Sequence, residues 1–278
     1  MTLEEYKTKI RTIARSLEIS EPITEAVIDL IRPHIELFRH EGGTAGQFGG
    51  NPALPDDVPW PVDGEFPGSP EEPVPFAASI NCSQLPLDIL DIDLPRDGQL
   101  LFFSTLDFDD QLGSIVHVPA HATARERHAP EDTYPAPMHS STLGARVGWS
   151  YPYEGPILED LYRQSSEDHP YHHEDFQRLI KEGPMPDECL IQIGGYFEAP
   201  QGHPLWMVEG APEDWVVLAK ITVRDGFRSN TEEEASEYWR NDDADPDGNE
   251  CCFFYTIRTT DLAGRHFDRA ATFLQEFN

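Results

Sequence analysis

Gln47-Phe48-Gly49-Gly50 recurs as Gln192-Ile193-Gly194-Gly195, an offset of 145, and the reading of the fold turns on that recurrence. A Pro follows each at a similar distance, Pro55 and Pro200, and Trp60 is matched by Trp206. Phe76-Ala77-Ala78-Ser79-Ile80 is matched by Val217-Leu218-Ala219-Lys220-Ile221 at an offset of 141. Asp97-Gly98 before Leu101-Phe102-Phe103 is matched by Asp247-Gly248 before Cys252-Phe253-Phe254-Tyr255. Four matches in one order predict two copies of one unit, at about 41–105 and 186–258. Each copy runs Gly-Gly turn, aromatic-pinned irregular segment, strand, Asp-Gly turn, aromatic strand. The turn glycines Gly49, Gly50, Gly194 and Gly195 permit positive φ or close backbone approach, and Asp-Gly sets a tight turn into a strand. Two such copies would pack about a pseudo-twofold axis, with Trp60 and Trp206 as aromatics at the seam, where ligand sites often lie. Duplication for packing alone explains the same pattern.

Outward from the repeats, short strand-like runs appear at 76–81, 99–104, 114–118, 190–193, 215–223 and 251–258. Residues 156–163 and 171–181 read as a helical insert of about 156–182. At the start, Leu3, Tyr6, Ile10, Ile13, Ala14 and Leu17 mark an amphipathic helix capped by Thr2. A second helix opens at Glu21-Pro22 and is kinked or ended by Pro33. Residues 1–40 are thus expected to be a helical segment packed on a single body, 41–278. Residues 260–277 read as a C-terminal helix with Leu262, Phe267, Ala270, Ala271, Phe273 and Leu274 on its buried side. Residues 41–75 are rich in Gly and Pro and form an irregular stretch pinned by Phe48, Leu54, Val58, Trp60 and Phe66. The expected class is α+β, a β-rich core with N-terminal helices and a C-terminal helix.

The chain has 278 residues with 51 Asp+Glu against 20 Lys+Arg, a formal net charge of −31. Residues 1–40 hold six basic and seven acidic side chains, so the remainder carries 14 − 44 = −30. This charge argues against nucleic acid, whose phosphates need clustered Lys and Arg, and against anionic membrane surfaces. It favours basic partners and solubility. No apolar run approaches the ~20 residues that span a bilayer. The first residues lack a basic stretch followed by an apolar one, so they do not read as a secretory signal. Four Cys are too sparse for a disulfide framework. A cytoplasmic protein is expected.

Asp243, Asp245 and Asp247, followed by Gly248, begin like a calcium-binding loop, in which alternate carboxylates converge on a hard cation. The twelfth position is Phe254 rather than a bidentate Glu, and a solvated acidic turn is the competing reading. No other cofactor is expected. Residues 168–175, Asp-His-Pro-Tyr-His-His-Glu-Asp, combine imidazoles and carboxylates, but helix capping accounts for them better than metal. No Cys-x-x-Cys, phosphate loop or nucleophile elbow occurs.

Three stretches carry a family resemblance: QFGGNPALPDDVPWP with PFAASINCSQLP and LPRDGQLLFFS, IQIGGYFEAPQ with DWVVLAKITV, and DADPDGNECCFFYTIRTTDLAGRHFD. Together they resemble the YwqG-like family of uncharacterised bacterial proteins over roughly residues 40–278. Ser79 and Lys220 stand where that family commonly has Gln. The resemblance implies a mixed α+β fold with a β-rich core and brings no catalytic residue with it. The resulting expectation is a non-enzymatic acidic binding protein that engages a basic protein partner, in an inhibitor or immunity-like role. The alternative is a metal-dependent or other enzyme with its site at the seam.

Overall fold

The computed structural model describes residues 1–63, 71–104, 113–131, 133, 140–184, 189–224 and 250–277. Two helices open the chain, α1 (Leu3–Ser16) and α2 (Glu21–Ile28). Thr2 caps α1 in a reciprocal box with Glu5, which satisfies orphan amides at the helix start. Strand β1 (Arg32–Arg39) follows at once. Eight strands come next, β2 (Gly46–Phe48), β3 (Ala53–Pro55), β4 (Val62–Asp63), β5 (Glu72–Pro73), β6 (Phe76–Asn81), β7 (Gln99–Ser104), β8 (Gly113–Val118) and β9 (Ala124–Glu126). Then come β10 (Ser141–Ser150), helices α3 (Pro156–Gln164) and α4 (Glu174–Glu182), β11 (Ile191–Ile193), β12 (Trp215–Arg224) and β13 (Glu250–Arg258). The five-residue helix α5 (Thr259–Ala263) and strand β14 (Ala271–Phe277) end the chain.

Ten strands form one antiparallel sheet in the order β14-β13-β12-β11-β1-β10-β2-β6-β7-β8. It is nearly barrel-shaped: Gly113 at the start of β8 lies against Thr272 of β14, so the two edges approach each other. This leaves little open edge for pairing with another chain. The smaller pairs β3–β9 and β4–β5 lie outside it.

Alternation along the strands decides what each face does. Ile35 and Leu37 of β1, Phe48, Ile80, Phe102, Ile115, Leu143, Ile193, Ile221, Phe253, Tyr255 and Leu274 point into one continuous core. Burying each such side chain is worth roughly 1.5–3 kcal/mol. The opposite face of β6–β8 carries Phe76, Leu101, Phe103 and Val118, covered by Leu54, Trp60 and Val74 from the Gly/Pro-rich stretch. The opposite face of β12–β13 carries Val217, Cys252 and Phe254, covered by Phe197 and Leu205. A further apolar cluster gathers α1, α2, α3 and α4 around Tyr151, just beyond β10.

Two expectations are corrected. Residues 1–40 are not helical throughout, because Arg32–Arg39 is a strand inside the sheet, paired with β10 on one side and β11 on the other. Pro33 is the second residue of that strand and does not end a helix, with extended backbone on both sides of it. The C-terminal helix is also replaced. Gly264 and Arg265, at φ 61, stop α5, and Ala271–Phe277 pairs antiparallel with β13 through Cys252↔Gln275 and Phe253↔Leu274. The edge of β13 offers a hydrogen-bonding partner that an amphipathic pattern alone does not reveal.

Candidate functional site

The four turn glycines adopt left-handed backbone, with φ 67 and 74 at Gly49 and Gly50, and 67 and 71 at Gly194 and Gly195. The Gln before each pair holds its turn. Gln47 Nε2 donates to the carbonyls of Gly49 (2.7 Å) and Asn51 (3.2 Å). Gln192 Nε2 donates to those of Gly194 (3.1 Å) and Tyr196 (2.8 Å). Both amide protons are used on main-chain acceptors, so these residues shape the loops. The repeated motif contained both Gln residues, but spacing alone did not reveal this role.

The two tryptophans do not share a cluster. Trp60 is buried, donates from Nε1 to the Val74 carbonyl (2.9 Å) and meets Phe103 edge to face at 5.4 Å. Trp206 is 47% exposed. Asp243, Asp245 and Asp247 lie outside the described residues. Among the described residues no group of three or more His, Cys, Asp or Glu is placed to hold a metal ion. In the 168–175 stretch the histidines act as caps: His169 Nδ1 accepts from the Tyr171 amide and His173 Nδ1 from the Asp175 amide.

Two polar constellations went unnoticed in the sequence. In the first, His34 Nε2 lies 2.9 Å from Glu36 Oε1, and Arg146 Nε donates to Glu36 Oε2 at 2.5 Å. Glu36 and Arg146 are direct cross-strand neighbours, and Gly148 lies opposite His34. A Cβ on Gly148 would overlap both Glu36 Oε1 and His34 Nε2, so only glycine leaves room for the pair. Burial alone would raise the Glu36 carboxyl. The hydrogen bonds from His34 and Arg146 outweigh it and hold the group below the usual carboxylate range. The only signal in the sequence is His and Glu alternating with Ile35 and Leu37.

The second constellation lies between the turn after β10 and the loop 196–207. His203 is 6% exposed, and its Nδ1 accepts from the Leu205 amide at 3.3 Å. Gly155 packs so closely on the His203 ring that an added Cβ would sit 2.5 Å from it. Burial lowers the His203 pKa to about 4, so the ring is neutral at physiological pH. Glu154, next to Gly155, has its carboxyl raised by burial and then by the charge of Glu198. Its Oε1 and the Tyr153 hydroxyl are buried atoms with no well-formed hydrogen bond among the described residues.

Trp206 meets the His203 ring edge-on at 6.2 Å, and Met207 beside it is 46% exposed. The buried Gln275 fixes this loop. Its Nε2 donates to the Gly202 carbonyl (2.6 Å), and its Oε1 accepts from the Gln201 amide (3.2 Å). Thiolate formation at Cys82 and Cys189 is disfavoured, since burial pushes the first up to about 11 and the second up to about 12.

These features sit on a scaffold that defines a family of mixed α+β domains. The chain belongs to the family described as a domain of unknown function (DUF1963), whose model matches residues 46–275. No curated protein matches the chain.

Proposed function

We propose that this is a non-enzymatic acidic binding protein that engages a basic protein partner, in an inhibitor or immunity-like role. The observation that carries the reading is the state of its cations. Among the described residues, ten Lys and Arg side chains already pair with carboxylates of the chain, including Arg11–Glu25, Arg32–Asp91 and Arg265–Asp93. The formal net charge of −31 already counts all 20 Lys and Arg, so these internal pairs leave the excess of acidic groups unbalanced and open to a partner. Such a field steers a basic partner and rejects acidic ones.

Within its family we group the chain with the YwqG-like proteins, on the motifs around Gly49–Gly50 and Gly194–Gly195. We also read the two sheet units as copies of one unit. Register supports that reading: Gly46↔Ile80, Gln47↔Ser79 and Phe48↔Ala78 correspond to Ile191↔Ile221, Gln192↔Lys220 and Ile193↔Ala219. Irregularities fall at Phe76/Ala78 and at Val217/Ala219, which are equivalent positions. The strands that precede the two units, β1 and β10, pair with each other and with the far unit, β1 with β11 and β10 with β2.

The function is tested by immobilising the full chain, passing host extract over it at low salt and eluting with a salt gradient. A basic protein released as screening shortens the reach of surface charge to about 8 Å near 0.15 M is the expected result. Retention that is indifferent to salt, or restricted to acidic proteins, overturns the reading.

A further inference from the structure

We propose that Met207 is a site of reversible oxidation by hydroperoxides, and that Gln275 carries its oxidation state to the exposed ring of Trp206. The inference stands apart from the basic-partner reading. Met207 is 46% exposed, yet its sulfur is not idle: Gln275 Nε2 donates to Sδ at 3.9 Å. The same nitrogen donates to the Gly202 carbonyl, so both of its protons are spent. Gln275 itself is 1% exposed and fixed in β14 opposite Cys252. Gly202 adopts φ 101, and a Cβ there would meet Trp206 Cε3 and Cζ3 at 3.4 Å, so the indole rests over this residue. One buried amide thus ties the Met207 thioether to the residue beneath the Trp206 ring.

Oxidation is an oxygen-atom transfer. A sulfur lone pair attacks the hydroperoxide, the O–O bond breaks, the S–O bond forms, and the peroxide leaves as water or alcohol. Sulfur loses two electrons and the peroxide gains them. One lone pair already accepts from Gln275, so the reacting pair is the one on the side away from that amide. The two lone pairs give opposite sulfoxide epimers, and each epimer has its own reductase. The hydrogen bond therefore selects one epimer and one repair enzyme. In the product the sulfur is positively polarised and no longer accepts from Nε2. A buried amide proton without a partner is costly. Gln275 turns to satisfy it, its hold on Gly202 changes, and the Trp206 ring above Gly202 shifts.

The test treats the full chain with hydrogen peroxide and follows peptide masses and tryptophan emission. Wild type is expected to gain one oxygen at Met207 with about a fivefold excess of one epimer, the rate ratio that preserving one hydrogen bond gives. Emission should change with that oxidation and return when the one matching reductase is added. Met207→Leu keeps an apolar side chain at a half-exposed position and should give no emission change. Trp206→Phe should be oxidised at Met207 and lose most of the emission change. Met207 left intact by peroxide that oxidises free methionine would overturn the site. Equal amounts of the two epimers would overturn the role of Gln275. An emission change that persists in Met207→Leu, or is undiminished in Trp206→Phe, would overturn the link to the ring.

Discussion

The rings of Phe102 and Tyr255 meet edge to face at 5.0 Å in the centre of the core, joining β7 to β13 across it. The Tyr255 hydroxyl then reaches across to the Phe103 carbonyl at 3.0 Å. Phe102→Ala leaves a cavity where β7 and β13 meet in the core and is expected to cost about 3–5 kcal/mol. Tyr255→Phe removes only the hydroxyl, with its hydrogen bonds to the Phe103 carbonyl and Ser104, and should cost about 1 kcal/mol per bond. Urea unfolding of both variants checks the order. A Phe102→Ala protein as stable as Tyr255→Phe would mean that this ring contact does not hold β7 and β13 together.

The Gln residues before the glycine pairs make a matched test. Gln192 is buried, so Gln192→Ala strands the Gly194 and Tyr196 carbonyls away from water. It should cost about 1–3 kcal/mol. Gln47 is half-buried, and water can replace part of what Gln47→Ala removes, giving the smaller loss. Thermal melts of the two variants should rank in that order, and the reverse ranking would refute the burial argument.

Glu36 predicts a pH dependence. Its folded carboxyl lies below the usual carboxylate range, so its contribution is present above the unfolded-state value. That contribution disappears as pH falls through the folded value. Glu36→Gln should cost about 2 kcal/mol at neutral pH, the scale of a hydrogen bond to a charged group. The gap to wild type should close in acid. Denaturant titrations at neutral and acid pH measure it, and a gap that widens in acid would contradict the assignment.

His203 acts in a different window. Its folded pKa of about 4 is below the ordinary histidine value, so the unfolded chain takes up a proton first as pH falls. Stability is lost between about pH 6.5 and 4, on the order of 3 kcal/mol in full. The imidazole resonances of His203 should stay those of the neutral ring through pH 5. A midpoint near 6.5 would show that the ring is solvated.

Much of the sheet was legible because its strands obey simple patterns. Phe76–Asn81 and Gln99–Ser104 are apolar runs bounded by turn residues, and they occur where the pattern puts them. The centre of the sheet was not legible. In β1 the buried His34 and Glu36 interrupt the apolar signal, and their stabilising partner Arg146 lies 110 positions away. β10 carries Gly144, Gly148 and Arg146 on its outer face and has little alternation to detect. The end of the chain fits both helical and strand periods, and only the presence of β13 decides between them. The packing of Gly155 on His203 unites residues some 50 positions apart, and no local motif announces it.

The most direct measurement is native mass spectrometry of the protein purified from its own host without chelator. The account predicts a complex with a basic protein that dissociates as ionic strength rises. A bare chain at low salt, or a small bound mass removed by chelator, would contradict it.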